Sequence, residues 1–68
     1  MSRVWEYIDS SKELKFVIEE DLNVGFYLIV YPLNSNKSTK DHLCDDFDEA
    51  CYEAFESYGV SNSAWVQK

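Results

Sequence analysis

The chain has 68 residues, room for one domain and one small core. At this size folding buries only about 60% of the surface the unfolded chain exposes. Its 46% apolar content excludes a disordered tail, and a formal net charge of −7 argues against nucleic acid or an anionic membrane as a direct ligand.

The charge is unevenly placed. Residues 1–40 hold six acids against five bases, whereas residues 41–68 hold seven acids against Lys68 alone. A cationic protein surface fits that asymmetry better than a polyanion does. Two cysteines are too few for a disulfide scaffold. The opening MSRVWEYIDS lacks a signal-peptide apolar run, and the longest apolar run, FYLIVY, is too short to span a bilayer. The expectation is a soluble, reduced, cytoplasmic protein.

RVWEYI reads as a first strand, with Val4, Glu6 and Ile8 on one side and Trp5 and Tyr7 on the other. Asp9 to Glu13 is a polar turn. LKFVIEE is a second strand in which Leu14, Phe16 and Ile18 alternate. After the turn at Asp21–Val24, Gly25 relaxes the chain into FYLIVY, a third strand apolar on both faces and therefore central or covered. Pro32 ends its pairing. LNSNKSTK is the one linker-like stretch, and DHLC is a candidate short edge strand.

The helix has the clearest signals. Asp46 is placed as N-cap with Glu49 three residues on, as in a capping box. Gly59 is a natural residue just past the C-terminus. Phe47, Ala50, Cys51, Ala54, Phe55 and Tyr58 form a stripe at helical spacing, expected to be buried. Asp48, Glu49, Tyr52, Glu53 and Glu56 fall opposite. Beyond Gly59, Ser61 caps a short turn, and Trp65 folds back to plug one end of the core. The expected fold is α+β, a single domain over residues 1–68: an antiparallel sheet of three strands, with a fourth short strand at 41–44, and one C-terminal helix on one face.

A single helix covers one sheet face only. The other should carry part of Trp5, Tyr7, Val17, Tyr27, Ile29 and Tyr31, or the alternate set if the parity is reversed; Trp5, Tyr7, Tyr27 and Tyr31 are its candidate interface aromatics. Such a face either marks an interaction site, including a homodimer interface, or is shielded by loop 32–41 and the C-terminal tail.

Little here carries chemistry. His42, Cys44 and Cys51 lack the paired short spacing of a zinc site, and DDFDE lacks the glycine and spacing of a calcium loop. His42 and Cys44 would share a strand face, yet the carboxylates around them raise a thiol pKa, and the chain leaves little room for a pocket. The isolated glycines make no phosphate cradle. No catalytic set, metal or cofactor is expected. The acidic helix face is the best candidate. A solvated face is the commonest fate of a charge run, but such faces usually mix Glu with Lys four residues apart. This one carries no base, and Glu53 and Glu56 lie beyond the first turn, where the helix dipole favours acids. Asp48, Glu49, Tyr52, Glu53 and Glu56 are the candidate contacts for a basic protein partner.

From Gly25 to Trp65 the pattern GFYLIVY, DDFDEACYEAFESYGV and a late W resembles small bacterial proteins. In these a GFYLxVY-type strand precedes a D-x-x-x-A-x-x-x-A-x-x-x-YG helix. Several such families are uncharacterised, and some resemble immunity proteins that neutralise toxins of interbacterial competition. The resemblance implies the sheet-plus-helix fold and, by analogy, an acidic inhibitor of a basic toxin. Its shared residues are structural and imply no particular binding residue.

Overall fold

A computed structural model describes residues 3–68. The elements run β1 (Val4–Asp9), β2 (Leu14–Asp21), β3 (Gly25–Pro32), β4 (Lys40–Cys44), α1 (Phe47–Tyr58) and β5 (Val66–Gln67). The strands form one antiparallel sheet in the order β4-β3-β2-β1-β5. Among the described residues the sheet therefore has five strands where the sequence suggested three or four. The edge strand at 41–44 exists and begins at Lys40. The fifth strand is a two-residue pairing at the far edge, too short to leave an alternation signal.

The register assigns the faces. Trp5, Ile18, Leu28 and His42 lie in one row across the sheet, with Tyr7, Phe16 and Val30 in the next. These rows face the helix. Phe16, Ile18, Leu28, Val30 and Cys44 join Ala50, Cys51, Ala54 and Val60 in the core. Ala50 and Ala54 are fully buried, and their small side chains let the helix backbone sit close to the sheet. Aromatic rings fill the space at both ends of that contact. Near the helix start the Phe47 ring lies 4.3 Å from Trp5 and 6.2 Å from Phe26, centre to centre. Near its end Tyr58 lies 5.1 Å from Phe16, which stacks on Tyr7 at 6.2 Å. Trp65 meets Tyr7 edge-on at 6.5 Å and closes that end, as its plug role requires.

Two expectations need correction. Trp5 and Tyr7 belong to the helix-covered face and pack against the core, so the uncovered face keeps only Tyr27 and Tyr31 of the four nominated aromatics. Parity decides this: Tyr27 pairs with Glu19 and Tyr31 with Lys15, in rows one residue out of step with Trp5 and Tyr7. Phe55 is 52% exposed, because the buried face is centred on the alanines and Phe55 falls at its margin. The C-terminal residues extend the sheet at its β1 edge rather than covering the open face, and residues 33–41 are exposed.

Local chemistry fixes the helix ends. The Asp46 carboxylate accepts from the Glu49 amide at 2.7 Å, satisfying one orphan donor of the first turn. Glu49 reaches back to the Asp45 amide at 3.4 Å, one residue before the usual capping-box donor. At the other end Gly59 turns left-handed (φ 72°) and its amide reaches the carbonyls of the last turn. The last turn carries no basic residue. Lys12 supplies one from the β1–β2 turn by donating to the Tyr58 carbonyl, where a cation complements the helix dipole. Lys12 also lies 3.8 Å from Asp9. The Asp9 carboxylate organises the same turn by accepting from Ser11 and Lys12, and the Ser11 hydroxyl holds its pKa below the usual range.

Gly25 (φ 142°) is constrained on two counts. Few L side chains adopt that backbone conformation, and a Cβ there would stand 2.4 Å from the Cys44 carbonyl oxygen. Gly25→Ala should therefore destabilise the fold by about 3 kcal/mol, measured by urea unfolding against the wild type. A cost within about 0.5 kcal/mol, the range of neutral surface changes, would show that the close approach does not constrain the sheet.

Candidate functional site

The outer face of α1 gathers all five nominated residues. Asp48, Glu49, Tyr52 and Glu56 are exposed, and Glu53 is half-buried on one flank. Tyr52 is 62% exposed. Phe55 stands one turn along from it, three residues on, where side chains are neighbours on a helix surface. Sequence spacing alone assigned Phe55 to the core, so this residue of the face was missed. The face thus carries two exposed rings among carboxylates.

The acids are held by neutral donors. The Tyr52 hydroxyl donates to Glu56 at 2.9 Å, and the Ser57 hydroxyl donates to Glu53. Both pairs are four residues apart, and that spacing is the signal that finds them. They steady the side chains without cancelling charge. The three ion pairs among the described residues are Arg3–Glu20, Asp9–Lys12 and Glu6–Lys68. None involves a helix acid.

Beside this face lies an open cleft of about 530 Å3, lined by Phe47, Asp48, Glu49, Cys51, Tyr52 and Asn62. The segment after the helix contributes Asn62 to it. The cleft shares Asp48, Glu49 and Tyr52 with the nominated surface.

His42 and Cys44 share the helix-facing side of β4. Both thiols are buried and free. Burial, then the charges of Glu49, Glu53, Asp45 and Asp46, push the Cys44 thiol up; burial and Asp48 do the same for Cys51. Both shifts disfavour the thiolate, the stronger nucleophile. No group of three or more potential metal ligands gathers among the described residues, and none of their helices is long and apolar enough to cross a membrane.

Comparison with protein-family models, with curated proteins and with solved structures finds no match to the chain.

The Tyr52–Glu56 bond has a titration signature. It raises the Tyr52 pKa, chiefly because the phenol donates to a carboxylate and also because ionisation would place two negative charges together. The bond's contribution is present below the ordinary tyrosine pKa of about 10 and is lost as pH rises through the higher folded value. Glu56→Gln should bring Tyr52 back toward its ordinary pKa. Phenolate absorbance, assigned with Tyr52→Phe, reads this directly. An unchanged titration would mean the pair does not form.

Proposed function

We propose that this chain is a non-enzymatic binding module whose acidic helix face docks on a basic protein. The observation that carries the reading is the pair of exposed rings, Tyr52 and Phe55, set among carboxylates that have no cation within the described residues. In a chain with so little core, an exposed phenylalanine is apolar area left unused for folding. Aromatic rings ringed by charge suit an interface in which the rings supply contact energy and the charges supply steering and partner choice. Asp48, Glu49, Glu53 and Glu56 are the steering charges. The cleft at Asn62 gives the face relief for a partner side chain.

The resemblance to immunity-like proteins sharpens the partner to a basic toxin, held inactive by occlusion rather than by chemistry. The burial of both thiols, with their pKa values raised, favours binding over catalysis.

Charge and contact separate kinetically. With the protein immobilised and basic proteins captured from a cell extract, Glu53→Lys with Glu56→Lys should slow association and remove the salt dependence. Tyr52→Ala with Phe55→Ala should speed dissociation by about tenfold or more. Tyr52, Phe55 and Glu56 are exposed and Glu53 is half-buried, and circular dichroism checks that both double variants stay folded. Capture that neither double variant alters would exclude this face.

A further inference from the structure

The sheet face away from α1 has a pattern of its own. Its central row is Val66, Glu6, Val17, Ile29 and Asp41. One step along the strands to one side stand Ile8, Lys15 and Tyr31. One step to the other side stand Val4, Glu19, Tyr27 and Leu43. On β1, β2 and β3 the face is therefore palindromic about its central row, while Leu43 of β4 has no strand counterpart. On β3 tyrosine answers tyrosine, and on β1 aliphatic answers aliphatic. On β2 lysine answers glutamate.

The β2 exchange is informative. Lys15 and Glu19 lie four residues apart on one strand, about 13 Å, too far to pair with each other. Neither makes an ion pair among the described residues. Lys15 instead lies 5.1 Å from the centre of the Tyr31 ring, which keeps its ammonium over the face.

We propose that two copies of this chain pack face to face about a two-fold axis running along the Glu6–Val17–Ile29–Asp41 row. That rotation reverses strand direction and keeps strand order. It sets Lys15 against Glu19 of the second copy, twice, and Tyr31 against Tyr27, twice. Ile8 meets Val4, and Val17 and Ile29 meet themselves at the centre. Isologous packing of this kind requires a self-complementary patch, which the palindrome with exchanged charge provides. The central row also brings like charges together. Glu6 is already compensated by Lys68 at 3.4 Å. Asp41 is exposed on the edge strand β4, where twisted sheets packed at about −30° diverge.

The face is small. Five strands of this length span roughly 20 by 20 Å, short of the about 800 Å2 per partner of a standard interface. The dimer is therefore weak and concentration-dependent, and the helix face stays free for a different partner. The inference is independent of the helix reading.

Sedimentation of the full chain from low to high micromolar concentration tests it. The wild type should show a reversible monomer–dimer equilibrium. Lys15→Glu and Glu19→Lys should each weaken it by about tenfold or more, since each places like charges across the axis. An equimolar mixture of the two variants should dimerise again, because the mixed pair restores both contacts, and so should the doubly exchanged variant. Circular dichroism checks that each is folded. A wild type that stays monomeric at high micromolar concentration overturns the proposal. So does a mixture that stays monomeric.

Discussion

The arrangement of the whole chain depends on one close approach, the backbone of Gly25 against the carbonyl of Cys44. A side chain at Gly25 would overlap that oxygen, so the first residue of β3 and the last of β4 can lie together only because the residue is glycine. This contact closes the β3–β4 register in which Phe26 pairs with Cys44. Only Asp45 and Asp46 separate β4 from the helix. Fixing Cys44 therefore fixes where Asp46 caps α1 and which sheet face the helix crosses.

The division of the molecule follows from that crossing. The covered face takes the large rings of Trp5, Phe16 and Phe26 together with Phe47 and Tyr58 from the helix, and the small Ala50 and Ala54 bring the two layers together. Lys12 ties the far end of the helix to the β1–β2 turn, so both ends of α1 are held by residues of the sheet and its connections. What remains outside is a helix face of carboxylates and two rings, and a sheet face centred on Val17 and Ile29. Val17, between β1 and β3 in the middle of the sheet, is only 8% exposed. The two surfaces point in opposite directions and use different residues, so one does not preclude the other.

Much of this was legible in the sequence wherever the cause is local. Asp46 and Gly59 announced the helix ends because capping needs only nearby backbone groups. The first two strands declared their faces through alternation, and Val4, Glu6 and Ile8 do oppose Trp5 and Tyr7. The third strand did not, because FYLIVY is apolar on both sides and periodicity is silent there. The assignment of Trp5 and Tyr7 relative to Tyr27 and Tyr31 then rests on cross-strand register, which is a tertiary fact. Phe55 fits a helical stripe by spacing, but the stripe that packs is narrower because it is centred on two alanines. β5 left no signal, since two residues cannot show alternation. Of the candidate contacts, the acids and Tyr52 were readable from charge and spacing, whereas Phe55 emerged only from packing.

The helix covers the Trp5–Phe26 side of the sheet and leaves the Val17–Ile29 side open, and both proposed surfaces follow from that placement. Proton–proton nuclear Overhauser contacts from the Phe47 ring test this most directly. Strong contacts are expected to Trp5 and to Phe26, whose rings stand 4.3 and 6.2 Å away, and none to Val17 or Ile29. Contacts from Phe47 to Val17 or Ile29, with none to Trp5, would contradict it.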